Sequence, residues 1–167
     1  PDRSDTSALA TAALAPAHLD DAPDASHLVR FYEHDRCLVE EMARFVGGAL
    51  GAGHAAVVVA TGAHLQDLER VLHTRGLDLA VAREEGRYFV FDPTEMLPLF
   101  MVDGHPDETR FGEVVASTII RAADGGRRVY AFGEMVNVLW AEGQQEAALE
   151  LEALWNALAR KMPFTLL

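Results

Sequence analysis

The chain has 167 residues, half of them hydrophobic, and a formal net charge of -12. This length suits one domain that buries about two thirds of its unfolded surface. The acidic balance argues against nucleic acid and against an anionic membrane surface, because both present phosphates that an acidic protein repels. Cys37 is the sole cysteine, which excludes intramolecular disulfides and thiolate zinc clusters and favours a reducing cytoplasm.

Residues 1–26 are rich in Ala, Asp, Ser and Pro, and this composition predicts a mobile leader. The sequence begins with Pro1 and stops at Leu167 inside an apolar run, so we expect it to be part of a longer protein. Residues 27–167 are expected to form the domain, truncated at its C-terminal strand. No apolar run approaches the ~20 residues of a membrane-spanning helix and no cationic signal-peptide start is present, so we expect this portion to be soluble, in agreement with the cytoplasmic location that the single cysteine favours.

The domain opens with alternating predicted strands and helices. Residues 28–32 read as a first strand, and Asp35 is a plausible N-cap for the amphipathic helix that follows. The continuous apolar run over residues 55–61 is typical of a strand buried in a parallel sheet. A second amphipathic helix ends at Gly76. Residues 88–91 predict a third strand.

After the third strand, residues 95–101 predict a short helix that Pro98 interrupts, and residues 102–108 predict a loop because they are dense in turn formers. The spacing of apolar residues then predicts a helix over residues 109–123. A long amphipathic helix near the C-terminus ends at Pro163, and the final residues open a fifth strand.

The stretch over residues 128–140, RVYAFGEMVNVLW, predicts a strand that turns sharply into a helix. Gly133 breaks the β-branched and aromatic run, and Glu134 lies on the turn. At the carboxyl edge of a parallel sheet this side chain faces a pocket, or it caps the helix that follows it. The whole pattern predicts an α/β fold with a mostly parallel sheet of five or more strands and helices on both faces.

Several polar side chains follow the predicted strands. Parallel strands leave their next residues at one edge of the sheet, so we expect these groups to converge there. They are Tyr32, Glu33 and His34 after the first strand, Thr61 and His64 after the second, Asp92 and Glu95 after the third, and Glu134 after the fourth.

Catalysis and metal binding find little support in these residues. No G-x-S-x-G elbow, P-loop or G-x-G-x-x-G occurs, which disfavours covalent hydrolysis and nucleotide chemistry. His34, His64, Asp92 and Glu134 are competent metal ligands, but no H-x-x-x-H pair places two on one helical face. We therefore predict no catalytic residue, no metal and no cofactor. The Met96, Met101 and Met135 thioethers line an adaptable pocket or simply pack in the core.

Six stretches together resemble the MEDS domain, the sensory domain named for methanogen and methylotroph proteins including the DcmR regulator. The combination of F-Y-E, F-G-E-M and L-W-N is more specific than any one of these motifs. The stretches are HLVRFYEHD at 27–35, T-x-x-H at Thr61 and His64, RYFVFDPTEML at 87–97, FMVDGHPD at 100–107, RVYAFGEMVNVLW at 128–140 and LEALWNALA at 151–159.

The resemblance implies a non-catalytic sensor of small, hydrocarbon-like organic molecules, found alone or attached to a histidine kinase, a helix-turn-helix domain or another signalling module. It also implies a degenerate relative of the RecA and KaiC ATPase core without a P-loop. The first strand-to-helix turn, where such an ATPase holds phosphate, reads Tyr32-Glu33-His34-Asp35 here, and its acidic side chains would repel a triphosphate.

Three hypotheses follow. The first is a sensing domain whose small organic ligand contacts the strand ends and shifts a kinase or DNA-binding output domain. The second is an interaction module or homodimer, which an exposed Trp140 or Trp155 would support. The third is a metalloprotein or residual enzyme. The ligand-binding residues predicted by the first hypothesis are Phe31, Tyr32, Glu33, Thr61, His64, Asp92, Met101, Glu134 and Trp155.

Overall fold

The computed structural model describes residues 26–27 and 35–167. The first predicted strand, over residues 28–32, and the predicted leader apart from Ser26 lie outside the described residues. Within the described ranges, none of the helices combines the length and apolarity needed to cross a membrane.

Strands and helices alternate along the chain. The strands are β1 (Ser26–His27), β2 (Ala55–Val59), β3 (Tyr88–Phe91), β4 (Met101–Val102), β5 (His105–Pro106), β6 (Val129–Gly133) and β7 (Thr165–Leu166). The α-helices are α1 (Asp35–Gly51), α2 (Gly62–Thr74), α3 (Leu79–Glu84), α4 (Pro93–Phe100), α5 (Glu108–Phe111), α6 (Ser117–Ala122), α7 (Met135–Ala141) and α8 (Gln145–Lys161). A π-helical turn (Gly112–Ala116) joins α5 to α6, and a 3-10 turn (Asp124–Gly126) follows α6.

Five strands form one sheet in the order β1-β7-β6-β2-β3, and every neighbouring pair is parallel. The α/β class, the parallel sheet and the fifth strand near the C-terminus are therefore confirmed. Parallel pairing requires a long crossover between successive strands, and the helices supply it. The predicted kinship with the RecA and KaiC core stays a prediction.

The two faces of the sheet carry separate cores. Along β2 the side chains alternate, so that Ala55, Val57 and Val59 face one core and Ala56 and Val58 face the other. The first core receives the apolar sides of α4 through α8, and the second receives those of α1, α2 and α3. Helices cover both faces, as predicted, and every residue of β2 is buried.

The segment predicted as a loop over residues 102–108 contains a hairpin instead. β4 and β5 pair antiparallel, with Val102 opposite His105. Asp103 and Gly104 between them have φ of 50° and 85°, and a two-residue hairpin turn of type I′ requires positive φ at both positions. The Asp-Gly dipeptide is the sequence signal for this turn, so the loop prediction was wrong in this part.

Two helical features differ from the sequence prediction. α4 begins at Pro93 and continues through Pro98 to Phe100, so Pro98 does not interrupt it. α3 was not predicted, because its six residues are too short to display a helical period.

The helix predicted over residues 109–123 is present, but it consists of α5, the π-helical turn and α6. Thr118 donates its hydroxyl hydrogen bond to the Val114 carbonyl oxygen at 2.9 Å inside this segment. The residues predicted to form its apolar side are buried, namely Phe111, Val115, Thr118, Ile119 and Ala122.

Candidate functional site

Glu134 lies at the junction of β6 and α7 and is 4% exposed. Its backbone N–H donates to the Val59 carbonyl oxygen at 2.9 Å, which extends the pairing of β6 with β2 by one step. Its side chain crosses to the start of α2. There Oε2 accepts from the Thr61 backbone N–H at 2.8 Å, and Oε1 lies 2.6 Å from Nδ1 of His64.

Among the described residues, the Glu134 carboxylate bonds to the start of α2 and not to α7, the helix that follows it in sequence. Within the described structure its side chain makes no capping bond to α7, which excludes the alternative that it caps the following helix. Thr61 is the N-cap of α2, and a negative charge there interacts favourably with the positive end of the helix dipole. Since an ionised carboxylate can only accept, Nδ1 of His64 carries the proton of their hydrogen bond. One buried acid thus links the β6–α7 junction to α2.

Asp92 lies at the same edge and caps α4. Its Oδ1 accepts from the Thr94 backbone N–H at 2.8 Å and from the Thr94 hydroxyl at 2.6 Å. The side-chain bond first, and then the backbone bond, lower the pKa of Asp92, because both favour the ionised carboxylate. Its Oδ2 would lie 4.0 Å from a Cβ added at Gly62, so Asp92 borders the start of α2.

The strand register explains why these groups meet. Val59 of β2 pairs with Phe91 of β3 on one side and with Gly133 of β6 on the other. The residues that follow these three strands therefore share one edge of the sheet. The structure brings together Thr61, His64, Asp92 and Glu134, as the sequence predicted. Phe31, Tyr32, Glu33 and His34, predicted to join them, lie outside the described residues.

Trp155 lies beneath this edge as a core residue. It is 3% exposed, and its Cζ2 would lie 3.9 Å from a Cβ added at Gly133. Its ring packs edge-on against Phe111 and Phe164, with centroid distances of 5.3 and 6.1 Å. Trp155 therefore gives no support to the hypothesis of an interaction module, whereas Trp140 is 52% exposed.

Met101 is not placed with the strand-end groups. It follows α4, which begins beside Asp92 and is eight residues long, or about 12 Å at 1.5 Å per residue. Met101 packs against the same core as Trp155 and is partly buried. Met96 and Met135 are buried in that core, which supports packing over pocket lining for both.

The histidines outside the edge include two with partners that sequence reasoning missed. His105 of β5 lies 2.9 Å through Nδ1 from Glu150 Oε2 of α8. His54 stacks on Tyr130 at a centroid distance of 5.9 Å. Neither contact has a sequence signal, because the partners are 45 and 76 positions apart along the chain. Among the described residues, no three His, Cys, Asp or Glu side chains form a group that could hold a metal ion.

A family model described as the methanogen/methylotroph, DcmR sensory domain (MEDS) matches residues 26–167. The chain belongs to the MEDS family. MEDS domains are sensory domains, so this chain has a sensory role in signalling. Comparisons with curated proteins and with solved structures give no match.

Proposed function

We propose that this MEDS domain is a non-catalytic, cytoplasmic sensing domain that binds a small organic molecule at the carboxyl edge of its sheet. Binding would be transmitted to an attached output domain, such as a histidine kinase or a DNA-binding domain. The observation that supports the proposal most directly is the buried Glu134 carboxylate, which joins two elements at that edge through Thr61 and His64.

The linkage by Glu134 gives a ligand a way to change the structure. α2 belongs to one helical layer and α7 to the other, and Glu134 connects the start of each. A ligand that competes for His64 or for the Thr61 N–H would favour a different packing of α2 against the sheet. A sensor requires such a difference in ligand affinity between two states.

The neighbouring groups indicate what kind of molecule fits. Asp92 and Glu134 are acidic, so a phosphate-bearing ligand would be repelled. Gly133 carries no side chain at the same edge, and the buried, apolar Trp155 ring lies directly beneath it. We infer a neutral or cationic organic ligand with an apolar body, in agreement with the hydrocarbon-like molecules that the family resemblance implies.

The proposal that the domain is non-catalytic rests on the hydrogen bonds of the Glu134 carboxylate. Both oxygens of Glu134 already accept hydrogen bonds, at 2.8 and 2.6 Å, so the carboxylate is engaged in holding the structure. Cys37 is exposed on α1, and among the described residues no base is hydrogen-bonded to it. A positioned nucleophile with an adjacent base is the signature of covalent catalysis, and Cys37 does not supply one.

Thermal denaturation of the chain with a library of chlorinated, aromatic and fatty compounds would test the proposal. A ligand of the folded state should raise the melting temperature in proportion to ln(1 + [L]/Kd), equivalent to about 2.7 kcal/mol at 100 times Kd. The increment should shrink in Glu134→Gln and persist in the control Glu84→Gln, which changes an exposed acid on α3. No stabilisation by any compound, or equal increments in both variants, would contradict the proposal.

Trp140 supports a second candidate function, a module that binds a signalling partner. It is 52% exposed at the end of α7, and large exposed aromatic side chains are enriched at protein interfaces. Trp140→Ala should weaken association with the attached or partner protein without lowering the melting temperature. Unchanged association in that variant would exclude this role for Trp140.

A further inference from the structure

The π-helical turn between α5 and α6 occurs in a sequence that also suits an α-helix. The turn spans Gly112–Ala116, and its N–H groups bond to carbonyl oxygens five residues back, where an α-helix uses four. Such turns are rare and occur frequently at functional sites. The buried side chains of the segment nevertheless recur at α-helical intervals of three and four residues. They are Phe111, Val115, Thr118, Ile119 and Ala122.

Two hydroxyl groups favour the π-helical form of the turn. Ser117 donates from Oγ to the Val114 carbonyl oxygen at 3.0 Å, and Thr118 donates from Oγ1 to the same oxygen at 2.9 Å. A continuous α-helix would direct the Thr118 N–H to this oxygen, because Val114 lies four residues earlier. A carbonyl oxygen has two lone pairs, so the hydroxyls compete with that N–H for them. Removal of the hydroxyls should therefore favour the α-helical form.

The turn lies beside Trp155, the aromatic side chain beneath the candidate site. Phe111 immediately precedes the turn and is 2% exposed. Its ring packs edge-on against Trp155 and Phe100, with centroid distances of 5.3 and 5.4 Å. Trp155 in turn lies beneath Gly133, which precedes Glu134 at the strand ends. Packed side chains thus connect the turn to the candidate site.

We propose that the π-helical turn is a two-state switch, and that its π-helical and α-helical forms place Phe111 differently against Trp155. The two forms differ by about one residue in helical phase, which in an α-helix corresponds to about 100° and 1.5 Å. Close-packed cores adopt discrete arrangements, so the contacts of the Phe111 ring should differ between the forms. A ligand that shifts Trp155 would change the ratio of the two forms. This last step rests on the proposed function, whereas the existence of the two forms does not.

NMR couplings measured through hydrogen bonds distinguish the two forms on the full chain. The Ala116 N–H bonds to the Phe111 carbonyl in the π-helical form and to the Gly112 carbonyl in the α-helical form. The original chain should show the coupling to Phe111. In the double variant Ser117→Ala/Thr118→Val the ratio of the α-helical to the π-helical form should rise about tenfold or more, because two hydroxyl bonds are lost.

A matched control and a second measurement accompany the couplings. Thr74→Val removes a hydroxyl that donates to the Arg70 carbonyl oxygen, four residues earlier, at 2.8 Å at the end of α2. In a Trp140→Phe background Trp155 is the sole tryptophan, and its fluorescence emission should shift in the double variant. The control should leave both the couplings of the turn and the emission of Trp155 unchanged.

Three results would overturn the switch. They are couplings to Phe111 alone in the double variant, altered couplings with unchanged Trp155 emission, and altered couplings in Thr74→Val. None of them affects the proposal of a ligand site, and a failure to find a stabilising ligand would leave the two forms of the turn in place. Ser117→Ala alone decides the outcome if the double variant does not fold, because Ser117 is exposed and its substitution leaves the core intact.

Discussion

Glu134 accepts hydrogen bonds with both carboxylate oxygens while 4% exposed, and this determines what its substitution does. In Glu134→Gln one oxygen becomes an amide donor, and the charge that accepts from both Thr61 and His64 is lost; Nδ1 of His64 can accept from the amide only if its proton moves to Nε2. Losing charge-assisted hydrogen bonds in a buried position costs about 1–3 kcal/mol. We expect the free energy of unfolding in urea to fall by that amount.

Glu84→Gln serves as the matched control for this variant. Glu84 is exposed on α3, and surface substitutions usually change stability by less than about 0.5 kcal/mol. If Glu134→Gln were as stable as the control, the link between α2 and the β6–α7 junction would contribute nothing to folding, and the proposed route from ligand to output would lose its basis.

The sequence placed Glu134 at the same edge as Thr61 and His64, but it did not predict the hydrogen bonds between them. A strand followed by Gly and an acid places the side chain at the sheet edge, because the edge position depends only on where the strand ends. The choice between α7 and α2 depends on the strand order, which places β6 beside β2. Strand order is a property of the whole fold, so local reasoning offered only a pocket or the helix next in sequence as what the side chain faces.

His105 gives a pH-dependent prediction. The hydrogen bond to Glu150 and then its charge raise the pKa of His105 above the ordinary value of 6.5, with smaller contributions from Glu146 and Asp103. Because the folded value is the higher one, the stabilisation is fully present below pH 6.5 and is lost as pH rises through the folded pKa. An NMR titration should show this elevated pKa.

Two variants distinguish the effect of Glu150 on the pKa of His105 from a general effect of surface charge. Glu150→Gln should move the His105 titration back toward 6.5, because it removes the main partner. Glu113→Gln, which changes an exposed acid in the π-helical turn, should leave the titration where it is. A His105 titration that is the same in Glu150→Gln as in the original chain would contradict this prediction.

At the scale of the elements, three helices begin with an aspartate that accepts a backbone hydrogen bond. Asp78 accepts from Val81, Asp92 from Thr94 and Asp107 from Arg110. An N-cap of this kind contributes about 1 kcal/mol relative to Ala. Asp92 is the informative case, since it also belongs to the candidate ligand site.

Asp92→Ala should therefore lower the free energy of unfolding by about 1 kcal/mol, while Asp92→Asn, which still caps, should change it much less. Since the folded pKa of Asp92 is lowered, the contribution of its charge is present above pH 3.8 and is lost as pH falls through the folded pKa. Urea denaturation at neutral pH measures both variants. Ligand stabilisation lost in Asp92→Asn, with folding stability retained, would assign Asp92 a binding role as well.

The elements that the sequence predicted well are those whose burial pattern is continuous or periodic. β2 and β6 are apolar throughout because both faces of the sheet are covered, and α1 and α8 are long enough to show a helical stripe. The missed features are short or local. α3 has six residues, and the β4–β5 hairpin pairs two residues from each strand.

At the scale of the whole molecule, one sheet serves two cores. Leu68 of α2 packs in the core on one face, and Trp155 of α8 packs in the core on the other, with β2 and β6 contributing alternate side chains to both. Neither layer of helices can bury its apolar side without the shared strands. We therefore expect both layers to unfold in a single transition.

Leu68→Ala in a Trp140→Phe background tests this coupling, because Trp155 is then the sole tryptophan and reports on the opposite face of the sheet. Leu68 has no exposed surface, so its truncation should cost about 2–5 kcal/mol. The urea midpoint of Trp155 fluorescence should fall together with that of far-UV circular dichroism. The control Leu149→Ala makes the same change at a side chain that is 64% exposed and should leave both midpoints nearly unchanged. Separate fluorescence and dichroism transitions in Leu68→Ala would mean that the two cores fold independently and that a signal at α2 does not reach α8 through the sheet.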